Sequence, residues 1–218
     1  NESPRTRQGA ALALGRLGDP RAAAPLTACL KDQDEAVRSQ VERALKEMEL
    51  KPFIEKGTHM LDVASADLNG DGTTDYILVL ENQWQKPEEL RIEEGPRPLL
   101  ILLRDAVGRL KSVKRNDKMI GSTETLEGAD DFGGVEAGVK TFTVHHGGSY
   151  GNGQAWSTAY TFNYSRIDKT WQLVKAEEYR GQRSNEEEIN EVYTPPKDYG
   201  KIDIADFDPA TYLWKGER

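Results

Sequence analysis

The sequence predicts an α+β protein in which helical hairpins come first and a mainly antiparallel β domain follows. In residues 3–49, apolar residues recur every three or four positions, which is the spacing of one helix face. Beyond Lys51-Pro52 the apolar period changes to about two, the spacing of a strand face. Between the predicted strands, only the stretch around Asn185–Val192 has the pattern of a helix. Because parallel strands need helices to connect them, a parallel α/β fold is disfavoured. We therefore predict a helical segment at residues 1–51 and a β domain at residues 52–218.

Length and composition indicate an ordinary globular chain and exclude several function classes. The chain has 218 residues with 37% apolar content, enough for a core of its own. Its net charge of −8 disfavours nucleic acid and an anionic membrane surface as partners. A single cysteine, Cys29, excludes an internal disulfide and a zinc site built from several cysteines. No apolar run approaches the roughly 20 residues that span a bilayer.

The acidic charge is concentrated in the second segment. Residues 1–51 carry a net charge of +1, whereas residues 52–218 carry −9. The chain begins Asn1-Glu2-Ser3-Pro4, which is neither an initiator methionine nor a signal peptide. We therefore expect a processed start, with room for a lipid anchor upstream of it.

Three helices are predicted in the first segment, at residues 4–17, 20–31 and 35–49. Ser3, Asp19 and Asp34 are good N-caps, and proline follows the first two of them at a position where a missing N–H costs nothing. Cys29 falls on the apolar side of the second helix, so we predict a small core residue rather than a nucleophile.

An internal repeat links the first and third helices. At an offset of 31 residues, Ala10 superimposes on Val41 and Ala13 on Ala44, within a longer run of matched positions. Together with the intervening motif Leu17-Gly18-Asp19-Pro20-Arg21, this succession resembles HEAT repeats of the short phycobilisome-lyase type over residues 3–49. The resemblance implies a protein-docking surface or a short piece of scaffold, since a solenoid usually needs about three repeats.

Eight strands are predicted in the second segment from period-two patterns bounded by turn residues. They are His59–Ala66, Asp75–Glu81, Leu99–Arg104, Leu110–Lys114, Val139–His146, Trp156–Tyr164, Trp171–Glu178 and a short Ile202–Ala205.

An acidic loop between the first two of these strands has the spacing of a cation site. Oxygen-bearing residues occupy loop positions one, three, five, seven and nine, and glycine occupies position six, where it permits a sharp turn. Side-chain oxygens would come from four residues and a backbone carbonyl from a fifth: Asp67, Asn69, Asp71, Asp75 and, through its carbonyl, Thr73. Many flexibly mounted oxygens favour Ca²⁺ over Mg²⁺, and the lack of nitrogen or sulfur disfavours zinc and copper.

The loop differs from an EF-hand and resembles another calcium motif. Position twelve is Leu78 instead of a bidentate glutamate, and a strand follows in place of a helix. In this setting DxNxDGxxD resembles the calcium loops of FG-GAP and VCBS-type repeats. Asn-Gly-Asp-Gly is also good turn chemistry, so a simple hairpin remains the alternative.

A wider resemblance covers residues 53–207. Blocks that carry it include the acidic loop, Arg115-Asn116-Asp117, His146-Gly147-Gly148-Ser149 and Thr194–Ile202. Together they look like a family of bacterial secreted or lipoprotein-like proteins of unassigned function. The resemblance implies a periplasmic, outer-membrane-anchored or extracellular location, but no reaction. A cysteine-containing segment of that family is replaced in this chain by Met119–Asp131.

The candidate catalytic residues do not form a recognisable constellation. His145 and His146 are adjacent on a predicted strand, so they point to opposite faces and cannot readily share one metal ion. Ser149 lacks the Gly-x-Ser-x-Gly setting of a nucleophile elbow, and the glycine-rich stretch Gly147–Gly153 lacks the ending of a phosphate loop. Trp84 is a better candidate for an exposed carbohydrate platform than Trp156, which lies in a core-like pattern.

These observations lead to one hypothesis and one alternative. The chain is expected to be a non-enzymatic calcium-binding envelope or secreted protein that binds another protein, for example as an inhibitor or immunity protein. The alternative is an envelope hydrolase that uses His145 or His146 with a carboxylate.

Overall fold

The computed structural model describes residues 2–82, 97–121, 130–149, 153–182 and 187–211. It divides the chain into two compact units, Asn1–Lys56 and Gly57–Arg218. Helices form the first unit and two antiparallel sheets form the second, which confirms the predicted α+β class. The domain boundary predicted after residue 51 stays a prediction.

Helix α1 spans Pro4–Leu17, as the sequence predicts. The Ser3 side chain caps its start by accepting a hydrogen bond from the Thr6 N–H at 3.2 Å. Gly18 ends the helix in the left-handed conformation, with φ of 61°.

The predicted second helix is divided in the structure. A 3-10 turn at Pro20–Ala22 leads into the short helix α2, Ala23–Cys29, so the chain leaves helical geometry before residue 31. Asp32, just beyond α2, accepts two hydrogen bonds from the Arg7 guanidinium at 2.7 and 2.8 Å, which connects this turn to α1.

Helix α3 spans Glu35–Leu50, and a 3-10 turn at Lys51–Phe53 follows it. The core of the helical unit contains Ala11, Ala22, Leu26, Val37, Val41 and Ala44.

The internal repeat does not predict which residues of α1 are buried. Ala11 and Gly15 are buried, whereas Ala10 and Ala13 are exposed, although their repeat partners on α3 are buried. The contact between Gly15 and Ala44 sets this rotation, because a Cβ at Gly15 would lie only 2.8 Å from Ala44 Cα.

The prediction that Cys29 is a core residue is wrong, since its side chain is exposed. Cys29 is the last residue of α2, and within that helix Leu26 is the residue that is buried.

The first sheet has the order β1-β2-β3-β4 and is antiparallel throughout. Its strands are β1 Thr58–Ala66, β2 Asp75–Asn82, β3 Leu99–Arg104 and β4 Leu110–Asn116.

The second sheet is also antiparallel, with the order β5-β6-β7-β8-β9. Its strands are β5 Phe132–Gly138, β6 Thr141–Ser149, β7 Gln154–Ser165, β8 Thr170–Gln182 and β9 Glu187–Tyr193.

Three predictions for this unit are corrected. The predicted strand Val139–His146 starts too early, because Val139 and Lys140 form the turn between β5 and β6. Ile202–Ala205 forms an isolated bridge from Asp203 to Gln172 and no strand. The helical pattern at Asn185–Val192 is overridden where the structure describes it, because β9 pairs with β8 along its length.

Both sheets contribute to one core. Ile77, Val79, Leu99 and Ile101 from the first sheet belong to the same buried cluster as residues of the second. The second sheet and the segment after it contribute Val135, Phe142, Val144, Tyr160, Phe162, Trp171, Ile202, Ile204 and Phe207. Asp62 of β1 connects the sheets further, since its carboxylate accepts a hydrogen bond from the Val135 N–H at 2.8 Å.

Candidate metal centre

The loop between β1 and β2 brings three carboxylates together. Ala66 and Asp75 are register partners at the open end of the hairpin, so Asp67 and Asp75 flank the loop. Carboxylate oxygens of Asp67, Asp71 and Asp75 all lie within 4.8 Å of one another. This is the one group of three potential metal ligands of the His, Cys, Asp and Glu types among the described residues.

The Asp67 carboxylate organises the loop by accepting hydrogen bonds from backbone N–H groups of later loop residues. One carboxylate oxygen accepts from the N–H groups of Gly70 at 2.7 Å and Asp71 at 3.0 Å, and the other accepts from Gly72 at 2.9 Å. Gly70 and Gly72 have φ angles of 80° and 88°, a region that glycine adopts without steric cost. The glycines therefore allow the turn that folds the loop around the Asp67 carboxylate.

Asp71 lies at the exposed tip and is hydrogen-bonded to the two remaining predicted ligand residues. The Thr73 hydroxyl and N–H donate to one Asp71 oxygen at 2.6 and 2.8 Å, and the Asn69 amide donates to the other at 2.8 Å. The hydrogen bond from the Thr73 side chain, followed by that from Asn69, lowers the pKa of Asp71. Asp71 is therefore ionised at neutral pH.

Asp75 is the buried member of the cluster. Its carboxylate accepts hydrogen bonds from the Leu68 N–H at 3.0 Å and from the Arg104 N–H at 2.9 Å. Burial raises the pKa of Asp75, and the negative charges of Asp71 and Asp67 add to that shift. A cation beside these carboxylates would favour the ionised form of all three.

One residue of the β5–β6 turn and one residue of β8 contact the backbone of the loop. The Lys140 N–H donates to the Asp67 carbonyl at 2.9 Å, and the Trp171 indole N–H donates to the Leu68 carbonyl at 3.0 Å. The Lys140 side chain also lies against Gly70, where a Cβ would come within 1.8 Å of its Cε. The loop is thus held in place by the core of the β unit as well as by its own hydrogen bonds.

The donor set fits a hard divalent cation. Calcium–oxygen distances are about 2.3–2.6 Å, so oxygens on opposite sides of one ion lie about 5 Å apart, close to the spread of these carboxylates. Each carboxylate oxygen has two lone pairs, so an oxygen that accepts one hydrogen bond has capacity for an ion. Each of the three aspartates has such an oxygen: Oδ2 of Asp67, Oδ2 of Asp71 and either oxygen of Asp75. The ligand roles of Asn69 and Thr73 stay predictions, although both lie in the same loop.

The structure separates the two adjacent histidines of β6. The His145 ring lies near Glu136, with Nε2 and Oε2 3.7 Å apart, whereas His146 is buried among aromatic side chains that include Phe132 and Tyr160. Burial lowers the pKa of His146, so its imidazole is neutral at pH 7.

A pocket of about 380 Å³ adjoins His146. Asp131, Trp156 and Tyr160 also line it. Sequence reasoning missed this pocket and placed Trp156 in the core. One feature of the sequence could have indicated the pocket. Along β6, Phe142 and Val144 occupy alternate positions on the buried face, and the next position on that face is His146, a polar residue where an apolar one would be expected. Trp84 lies outside the described residues, and so do residues 150–152 of the Gly147–Gly153 stretch.

Comparison with known proteins supports the helical part of the sequence analysis. A family model of HEAT repeats matches residues 1–46. A search among curated proteins found no similar sequence. In the described part of the chain, no helix has both the length and the apolar character required to cross a membrane.

Proposed function

We propose that this chain is a non-enzymatic calcium-binding protein of the cell envelope or the extracellular space that acts by binding another protein. The observation that carries the calcium part is the convergence of the Asp67, Asp71 and Asp75 carboxylates within 4.8 Å. Asn69 would add a side-chain oxygen and Thr73 its backbone carbonyl.

Calcium is the cation that this donor set favours. All five donors are oxygens on one loop. With carboxylates that bind through both oxygens and with added water, the coordination number can exceed the six of an octahedron, which Ca²⁺ accepts. Magnesium demands shorter and more regular distances, and it gives up its own water ligands reluctantly. Three carboxylates exceed the charge of one divalent ion, so the bound ion would relieve their mutual repulsion.

The proposed role of the ion is structural. It would hold the β1–β2 hairpin in its loop geometry and stabilise the folded chain by mass action, because the unfolded loop would bind calcium far more weakly. At a free calcium concentration 100 times the dissociation constant, this linkage contributes about 2.7 kcal/mol.

The test compares two aspartates that occupy similar turns. Asp71→Asn removes one charge from the cluster while keeping an oxygen that can accept the Thr73 hydrogen bonds. Asp105→Asn is the matched control, because Asp105 likewise accepts backbone N–H groups in a hairpin turn, from Val107 and Arg109. Thermal melting and isothermal titration with Ca²⁺ and Mg²⁺ would be measured on all three proteins after treatment with chelator.

Calcium is expected to raise the melting temperature of the unmodified chain and of Asp105→Asn. In Asp71→Asn the calcium affinity should fall by about tenfold or more, since affinity depends on the charge of the ligand set. A melting temperature that chelator leaves unchanged would contradict the structural role. Equal heats of calcium binding in Asp71→Asn and in the unmodified chain would contradict the assignment of the loop.

The proposed protein partner rests on the HEAT-repeat similarity and on charge. HEAT repeats stack helices into surfaces that bind proteins, and residues 1–46 match that family. Residues 52–218 carry a net charge of −9, which would steer a basic partner toward the β unit. An inhibitor or immunity protein that covers a basic enzyme is the most specific form of this proposal. Association with such an enzyme should slow as ionic strength rises, and a salt-independent association rate would argue against it.

The envelope location and the FG-GAP or VCBS likeness of the loop belong to the same proposal. Both derive from sequence resemblance. Fractionation of the native host, with antibody detection of the protein in envelope and medium, would test the location, and recovery in the cytosolic fraction alone would refute it.

One observation favours a second candidate, an envelope hydrolase. His146 and Asp131 line the same pocket, so an imidazole and a carboxylate are available at one cavity. Turnover of ester and glycoside substrates would be compared in the unmodified chain and in the His145→Ala/His146→Ala double variant. Activity that survives in the double variant would eliminate this candidate.

A further inference from the structure

The pocket beside His146 lies where the core of the second sheet opens. On β6, the buried face formed by Phe142 and Val144 continues to His146, and the paired face of β7 runs from Tyr160 through Thr158 to Trp156. His146 and Thr158 are register partners. Side chains that bear hydrogen-bonding groups thus replace purely apolar ones at this end of the same face.

Two polar atoms at the pocket have no hydrogen-bond partner among the residues that the structure describes. They are Nε2 of His146 and Oδ1 of Asp131, and both are buried. His146 as a whole is only 7% exposed. Gly147 donates its N–H to the Asp131 carbonyl at 2.8 Å, which keeps the Asp131 backbone beside β6.

Leaving such atoms unpaired is costly. A buried polar group without a partner destabilises a protein by about 1–3 kcal/mol, and by more when it is charged. The pocket therefore calls for an occupant that forms hydrogen bonds with an imidazole nitrogen and a carboxylate oxygen. Ordered water is the simplest such occupant.

The remaining walls favour an occupant larger than water. The cavity of about 380 Å³ is within the range of small-molecule sites. The aromatic side chains of Trp156 and Tyr160 line it. Gly148 leaves room for the indole, since a Cβ at this position would lie 3.2 Å from Trp156 Nε1.

The charges around the pocket disfavour an anionic occupant. Lys118 is one cationic group of the lining, and Asp131 and Asp208 are two anionic groups. An anion would be repelled by both carboxylates. A cation would be attracted by them and opposed by Lys118, so the cationic probe in the experiment below distinguishes a cation from a neutral ligand. A neutral hydroxyl can donate to Asp131, and a second hydroxyl can donate to or accept from the neutral His146 imidazole.

We propose that this pocket binds a neutral saccharide, with hydroxyl groups on Asp131 Oδ1 and His146 Nε2 and the apolar face of the sugar ring against Trp156 or Tyr160. Aromatic rings offer a flat apolar surface for such a ring, while the two unpaired atoms fix its orientation. The site is independent of the calcium loop. Sugar binding in this pocket is compatible with the proposed protein-binding role. If turnover is found, the bound sugar would also indicate the substrate class of the hydrolase candidate.

The experiment titrates the full chain with free monosaccharides: glucose, galactose, mannose and N-acetylglucosamine. Free monosaccharides have no glycosidic bond to an aglycone, so binding is measured without turnover, and failure of the hydrolase candidate is distinguishable from failure of this proposal. The readout is the ring-nitrogen NMR spectrum of the histidines, of which the chain has 3. Ethylammonium chloride and sodium acetate serve as cationic and anionic probes.

We expect at least one of these sugars to shift the His146 Nε2 resonance saturably, with a dissociation constant in the millimolar range or below. Asp131→Asn should weaken that binding by about tenfold, because a hydrogen bond to a charged group contributes about 1.5–3 kcal/mol. His145→Gln, on the opposite strand face, should bind as the unmodified chain does. Melting curves of both variants verify that they are folded.

Three results would overturn the proposal. The first is the absence of a saturable shift with every sugar, which would leave water or a segment of the chain as the occupant. The second is saturation by the cationic or anionic probe alone. The third is equal sugar affinity in folded Asp131→Asn and in the unmodified chain.

Discussion

The contact between α1 and α3 gives a sharp test of the helical unit. Gly9 and Gly15 both lie within α1, but Gly9 is exposed and Gly15 is buried against Ala44. Replacing either glycine with alanine should gain about 1 kcal/mol of helix propensity. The two substitutions therefore differ only in what the new methyl group contacts.

At Gly15 the new methyl group would be too close to the neighbouring helix. Its Cβ would lie 2.8 Å from both Cα and Cβ of Ala44 and 3.3 Å from the Ala44 carbonyl oxygen. Since carbon atoms in contact prefer about 3.5–4.0 Å, the helices must separate by about 1 Å. Overpacking of this kind costs about 1–3 kcal/mol, which exceeds or cancels the gain in propensity. At Gly9 no atom lies within 4 Å of the added Cβ, so that gain is retained.

Guanidinium denaturation followed by far-UV circular dichroism would measure the free energy of unfolding of both variants. Gly15→Ala should be less stable than Gly9→Ala by about 1–3 kcal/mol, because the propensity gain cancels in the comparison. Removing the Ala44 methyl group as well would not restore stability fully, since Ala44 Cα itself lies 2.8 Å from the new atom. Equal stability of Gly9→Ala and Gly15→Ala would refute the proposed helix packing.

Three further predictions concern single side chains. The pKa of His146, measured by NMR titration, should lie below the ordinary value of about 6.5. The free energy of unfolding should decrease as the pH falls through about 6.5, because the unfolded chain then binds a proton that the folded chain does not. A pKa of His146 at or above the ordinary value would contradict this prediction. Arg97→Met should lower the free energy of unfolding, measured with denaturant, by about 2–3 kcal/mol. The substitution leaves Glu81 and Asp130 without the buried guanidinium that bridges them, and the partial exposure of Asp130 moderates the loss. A loss below about 1 kcal/mol would show that solvent screens these ion pairs as it screens pairs on the surface. Cys29 should react with Ellman's reagent stoichiometrically without denaturant, since its side chain is exposed, and a requirement for guanidinium would show the opposite.

The helical unit was largely predictable because its signals are local. Ser3, Asp19 and Asp34 each cap the element that the sequence assigns to them, with hydrogen bonds from Thr6, Arg21 and Val37 respectively. The rotation of α1 was not predictable, since it depends on the Gly15–Ala44 contact between residues far apart in the sequence.

The strands that were missed lack a local signal. Strand β5 contains Gly133 and Gly134, and its register shifts between Phe132 and Gly134, so its apolar residues do not alternate regularly. Strand β9 is rich in glutamate and reads as a helix, but pairing with β8 decides its conformation.

The acidic loop could be predicted from local sequence, whereas the pocket beside His146 could not. The three aspartates of the acidic loop lie within nine residues, so their spacing alone predicts that they converge. The pocket instead depends on strand pairing, which places Phe132 opposite His146 and so brings Asp131 beside the β6 histidine. No pattern within either segment indicates that proximity.

The attachment of the acidic loop to the second sheet has a consequence for folding kinetics. The hydrogen bond from the Trp171 indole to the Leu68 carbonyl joins residues 103 positions apart. Contacts of such long range form only after large chain loops have closed, so we expect the acidic loop to reach its final geometry late in folding. A calcium ion that binds only the completed loop would lower the energy of the native state more than that of the folding transition state. It would therefore slow unfolding and leave the folding rate nearly unchanged.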